Sequence, residues 1–103
     1  MDKSFSARVY DIVKKIPEGS VLTYGAVAIL AKSPRAPRIV GALMARAPSG
    51  EGIPCHRVVY GDGSLCKGRA FGAQGVQRQL LETEGVGFLD DGRVDLKKYM
   101  MDI

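Results

Sequence analysis

Thr23-Tyr24-Gly25-Ala26-Val27-Ala28-Ile29-Leu30-Ala31-Lys32-Ser33-Pro34-Arg35-Ala36-Pro37-Arg38-Ile39-Val40-Gly41-Ala42-Leu43-Met44-Ala45-Arg46 reads as a cap, a helix, a break and a second helix. Thr23 can cap a helix over roughly 24–31, with Val27, Leu30 and Ala31 facing inward. Ser33-Pro34 breaks it. Pro37 suits the first turn of the next helix, about 37–46, because its missing N–H would have no partner there. That helix has two faces. Val40, Leu43 and Met44 form an apolar stripe, while Arg38, Gly41, Ala42, Ala45 and Arg46 form the other side. A solvated face is normally richer in Glu, Lys and Gln. Small residues flanked by arginines let a backbone approach another surface closely. The pattern fits a helix-turn-helix. It fits tight helix packing inside one domain equally well, and pattern alone leaves both open.

Upstream, Phe5, Val9, Ile12, Val13 and Ile16 mark an amphipathic helix over 4–16, with Ser4 as its cap and Pro17-Glu18-Gly19 as its stop. Val21-Leu22 reads as a short extended segment. Downstream, residues 48–54 form a Pro/Gly loop. Arg57-Val58-Val59-Tyr60 and Ser64-Leu65-Cys66 predict two strands of a hairpin around Gly61-Asp62-Gly63. Residues 67–75 read as a glycine-bearing loop with Lys67 and Arg69. A last helix is expected near 75–84, with Val76, Leu80 and Leu81 apolar and Gly85 just past its end. Asp90-Asp91-Gly92 marks a turn between Phe88-Leu89 and Val94.

The 103 residues suffice for one domain. Hydrophobic residues make up 46% of them, and with no Trp the core must rest on Val, Leu, Ile and Met. The net charge is +4, which suits a polyanionic partner. From Gly19 to Gly50 there is no acidic residue, yet Lys32, Arg35, Arg38 and Arg46 all fall there. Such a one-sign segment is a candidate electrostatic footprint. Two cysteines without a secretory apolar region imply a reducing compartment. That means a cytoplasm or a nucleus. No apolar run approaches membrane-spanning length, so no membrane partner is expected. Cys55, His56 and Cys66 lack the spacing of a zinc site, so no metal and no cofactor is expected.

Pro54-Cys55-His56-Arg57-Val58 puts a thiol beside the chain's single histidine. A thiol becomes a nucleophile when a base promotes the thiolate. Taken alone, the pair reads as a small buried thiol and a surface imidazole. The surrounding motifs change that. Ile16-Pro17-Glu18-Gly19, Thr23-Tyr24-Gly25, Ala36-Pro37-Arg38-Ile39-Val40-Gly41, Ile53-Pro54-Cys55-His56-Arg57-Val58-Val59 and Leu80-Leu81 before Glu84-Gly85 occur in order. Together they resemble the C-terminal DNA-binding domain of the O6-alkylguanine-DNA alkyltransferases, from about Phe5 to Gly85.

The resemblance implies a mainly α, winged helix-turn-helix fold with a small β-hairpin wing. It implies a single domain over 1–103, without the N-terminal domain of full alkyltransferases, acting as a monomer on double-stranded DNA that contains O6-alkylguanine. Cys55 would accept the alkyl group by in-line displacement, once per molecule. His56 would act as base through a bridging water, since neighbours in extended chain point to opposite sides, and Glu84 would orient it. Tyr24 and Arg38 would extrude the nucleotide, because O6 of a stacked, paired guanine is closed to in-line attack. Gly41, Ala42 and Ala45 would let the third helix enter the minor groove, with Lys32 and Arg46 on the DNA backbone. Pro54, Val58, Lys67 and Arg69 would line the base pocket.

Three departures stand out. Ala47-Pro48 replaces an Asn-Pro whose Asn braces the active-site turn. Cys66-Lys67-Gly68-Arg69 replaces a Tyr-Ser-Gly-Gly loop that hydrogen-bonds the flipped base. Gln77-Arg78-Gln79, Glu84-Gly85-Val86 and the ending Val94-Asp95-Leu96-Lys97-Lys98-Tyr99-Met100 resemble the alkyltransferase-like proteins. Those carry Trp or Ala in place of the nucleophile and hand the lesion to nucleotide excision repair proteins. Two expectations follow: a single-turnover transferase, or a lesion sensor in which Cys55 is unused. A disulfide between Cys55 and Cys66 would need a distance that sequence does not give.

Overall fold

The computed structural model describes residues 4–48, 51–65 and 75–102. Three helices come first: α1 (Phe5–Lys14), α2 (Tyr24–Leu30) and α3 (Pro37–Ala45). The Ser4 hydroxyl accepts from Ala7 N at 3.2 Å and the Thr23 hydroxyl from Ala26 N at 3.0 Å, so both predicted caps form. Pro37 occupies the first turn of α3. Two long-range bonds fasten the trio. Arg8 Nε donates to the Ala31 carbonyl at the end of α2, and the Tyr10 hydroxyl donates to the Leu43 carbonyl. Val9, Val13, Ile16, Val27, Val40 and Met44 form the core between them. Leu30, expected inward, is 38% exposed. The helix ends one residue before the expected 31, and Ala31, not Leu30, turns inward.

The strand pairing departs from the predicted hairpin. β1 (Leu22–Thr23) pairs in parallel with β2 (Val58–Val59), in the register Leu22–Val58 and Thr23–Val59. Gly61-Asp62-Gly63 does form a tight turn, closed by Tyr60 N to Ser64 O at 3.0 Å. However, Ser64 and Leu65 do not continue it as a strand, and Cys66 lies outside the described residues. The physical reason is burial on both faces. Side chains alternate along a strand, so Leu22 and Val58 enter the three-helix core while Val21 and Val59 enter a second one with Leu81, Val86 and Val94. A strand buried on both faces reads as a continuous apolar run and suits parallel pairing.

Helix α4 (Val76–Thr83) and helix α5 (Leu96–Tyr99) complete the chain. The predicted turn at Asp90-Asp91-Gly92 forms, with Phe88 bridged antiparallel to Val94. Val21 N donates to Tyr99 O and Met101 N to Val21 O, so the chain's end adds a third line beside β1. The architecture is mostly helical, with a small parallel sheet separating two cores.

Candidate functional site

Cys55, His56 and Arg57 form a single 3-10 turn, not the extended chain read from the sequence. Arg57 N closes it on Pro54 O at 3.0 Å. Successive side chains in such a turn diverge by about 120°. Cys55 packs against the three-helix core, while His56 and Arg57 both reach Glu84. The Glu84 Oε2 lies 2.9 Å from His56 Nε2. Arg57 donates from Nε to both carboxylate oxygens, at 3.0 and 3.2 Å, and from Nη2 to Oε2 at 2.6 Å. Its Nη1 donates to the Ile16 carbonyl at 2.8 Å. Glu84 ends α4 and Gly19 crosses its backbone. A Cβ at Gly19 would sit 3.3 Å from the Glu84 carbonyl, and its φ of +87° is one that side chains rarely adopt. The motifs at 16–19, 55–57 and 84–85 are thus three sides of one site.

The electrostatics follow from these contacts. Hydrogen bonds from Arg57, opposed by partial burial and helped by His56, pull the Glu84 carboxyl down to about 2. Glu84 is therefore ionised and accepts. An ionised carboxylate only accepts, so His56 Nε2 donates their shared bond. Arg57 is pushed up, chiefly by its hydrogen bonds to Glu84. Burial pushes the Cys55 thiol up as well, against a smaller lowering by a backbone hydrogen bond. The sulfur rests as a thiol.

A polar strut holds the turn from behind. Gln77, 4% exposed, donates from Nε2 to the His56 carbonyl at 3.1 Å and the Val58 carbonyl at 3.0 Å. Neither Gln77 nor Arg57 was read as a site residue from sequence. For Gln77 a signal existed. Residues 77, 81 and 84 share a helix face, and two of the three are polar. That face is the buried one, whereas Leu80, expected inward, is 40% exposed.

On the other side of β1, Tyr24 begins α2 and stands across from α3. Tyr24, Pro37, Arg38, Gly41 and Tyr60 line an open cavity of about 470 Å³. Cys55 is not among its lining residues. A Cβ at Gly41 would meet the Tyr24 ring at 3.8 Å. Arg38, Ala42, Ala45 and Arg46 are exposed on the outer face of α3, as expected, with Lys32 and Arg35 exposed in the turn before it. Lys32 adopts φ +68°, the left-handed conformation that ends α2. Val58 belongs to the core at this position. It is fully buried, because strand alternation points it into the helical core, and Pro54 is buried beside it. Lys67 and Arg69 lie outside the described residues.

Comparison with known proteins places this geometry. Residues 4–86 match the family described as 6-O-methylguanine DNA methyltransferase, DNA binding domain. The DNA base-flipping protein of Escherichia coli is 46% identical over 98 residues, covering 95% of this chain and 74% of that protein. A methylated-DNA–protein-cysteine methyltransferase of Methanothermobacter thermautotrophicus is 42% identical over 80% of this chain and 44% of its own length. The crystal structure of Atl1 of Schizosaccharomyces pombe, in complex with damaged DNA containing O6-carboxymethylguanine, is 34% identical and covers all of both chains with a TM-score of 0.83. The chain belongs to the 6-O-methylguanine DNA methyltransferase family through its DNA-binding domain, among proteins that recognise or repair alkylated guanine in DNA.

Proposed function

We propose that this protein binds duplex DNA containing O6-alkylguanine, extrudes the damaged nucleotide and transfers the alkyl group to Cys55 in a single turnover. The observation that carries this reading is the His56–Glu84 bond of 2.9 Å, made from the turn that holds the thiol. An ionised Glu84 fixes the Nε2–H tautomer and stabilises the imidazolium that forms. His56 Nδ1 takes the thiol proton, through water. The sulfur then forms a bond to the alkyl carbon as the carbon–O6 bond breaks, and its electron pair leaves with guanine. Guanine regains a proton, so thiol and O6-alkylguanine become thioether and guanine. Tyr24 acts on the target phosphate, Arg38 fills the gap in the base stack, and Gly41, Ala42 and Ala45 admit the minor groove.

A second reading has its own support. Burial that keeps Cys55 protonated slows attack, and one close relative is named a DNA base-flipping protein. Under that reading the protein senses the lesion and passes it to excision repair. Intact-protein mass spectrometry after incubation with a duplex holding one O6-methylguanine separates the two, with Cys55→Ser as control. A gain of one methyl in the wild type alone is expected. No gain, with lesion-selective binding in the same mixture, would establish the sensor.

A further inference from the structure

Tyr60 follows β2 directly and keeps 44% of its surface exposed. Its ring lies 5.2 Å from that of Tyr24, tilted by 51°. Both rings face the cavity shared with Pro37, Arg38 and Gly41. The walls are therefore two tyrosines, a proline, a glycine and one arginine. Flat apolar faces beside a cation suit a planar π-faced group carried on an anionic chain, and aromatic stacking of this kind accepts any base. Arg38 lines the cavity, and Lys32, Arg35 and Arg46, all exposed, belong to the same segment without an acidic residue. Cys55 does not line it, so a base held here is not the one presented to the thiol.

We propose that Tyr60 is a stacking platform for a second nucleobase, one left unstacked in the DNA when the lesion is extruded, held between the Tyr24–Tyr60 wall and Arg38. This rests on the reading of the chain as a nucleotide-extruding DNA-binding protein. Extrusion strips one stacking partner from each flanking base and the pairing partner from the opposite one. A tyrosine face replaces what is lost.

The test uses a duplex that already holds an unstacked base, a single-nucleotide 2-aminopurine bulge, against the same duplex fully paired. Wild-type protein is expected to quench the 2-aminopurine emission on binding. Tyr60→Ala is expected to bind the bulged duplex about tenfold more weakly and the paired duplex within about twofold, a stacking contribution of the usual size. Tyr60→Phe should keep wild-type affinity. Tyr60→Leu, which preserves apolar bulk against Tyr24, should lose as much as Tyr60→Ala. A loss of at least about threefold should persist in a Tyr24→Ala background, because the two rings touch and their effects need not add in full. Equal losses on both duplexes, no loss at all, or a loss that disappears without Tyr24 would each overturn the proposal. The last result would make Tyr60 only a support for Tyr24. The bulge needs no lesion, so absence of O6-methylguanine preference in the wild type would sink the proposed function and leave the bulge result to decide Tyr60.

Discussion

Burial holds the Cys55 thiol above its ordinary pKa of 9.0, so the sulfur keeps its proton at neutral pH until a base removes it. Reactivity toward a small soluble electrophile such as iodoacetamide should therefore fall below that of a free cysteine at pH 7.5. It should still be climbing at pH 9; a plateau below pH 8 would mean an activated thiolate at rest. Glu84 shifts the other way, from 4.5 to about 2, with only 12% of its side chain exposed. A depressed carboxyl contributes stability that is present above the unfolded value and lost as pH falls through the folded one. The window is thus pH 4.5 to 2, and the contribution is at most about 3 kcal/mol. Glu84→Gln should lower stability at pH 7 and flatten the stability profile across that window. Denaturant titrations of both proteins between pH 6 and 2 measure this. Parallel profiles would show that Arg57 and His56 do not hold the carboxylate charged.

At the scale of elements, α4 works as a strut whose inward face sets the polar Gln77 beside the apolar Leu81. Gln77 closes two carbonyls of the reactive segment, and its replacement by Leu would leave the buried Val58 carbonyl and the partly buried His56 carbonyl without that donor. Unmet buried acceptors cost about 1–3 kcal/mol. Gln77→Leu should lower stability by that amount and slow alkylation of Cys55 by lesion DNA more than alkylation by iodoacetamide. Equal slowing of both reactions would reduce Gln77 to a packing residue. Much of this architecture was legible in the chain. Ser4, Thr23 and Pro37 fixed the helix starts because caps are local chemistry, and Asp90-Asp91-Gly92 fixed a turn for the same reason. What failed was non-local. Val58-Val59 looked like half of a hairpin, because a nearby turn is visible in sequence and a partner strand more than thirty residues away is not. Consecutive valines did carry a hint, since a half-exposed hairpin strand would alternate with polar residues. The site was legible as residue types. Its connection through Arg57, which binds Glu84 and Ile16 at once, needed the fold.

For the whole molecule, charge is sorted by position. All eleven Asp and Glu residues lie outside 19–50, while Lys32, Arg35, Arg38 and Arg46 stand exposed within it. Among the described residues, these four cations make no ion pair with a carboxylate, and the segment itself supplies none. Phosphate contacts release counterions, and the logarithm of affinity falls with the logarithm of salt by about 0.9 per contact. With Lys32, Arg35 and Arg46 on phosphates and Arg38 on none, the slope on undamaged duplex should be near −3. Lys32→Ala, Arg35→Ala and Arg46→Ala should each take off about one unit, without changing the preference for O6-methylguanine. Arg38→Ala should do the reverse. It should leave the slope within about 0.3 of wild type and cut the lesion preference about tenfold or more, because only the extruded state needs a side chain in the gap. Fluorescence anisotropy on paired damaged and undamaged duplexes between 50 and 300 mM salt reads both quantities at once. A unit drop in slope with unchanged preference for Arg38→Ala would move that arginine from the stack to the backbone and leave the extrusion to Tyr24 alone.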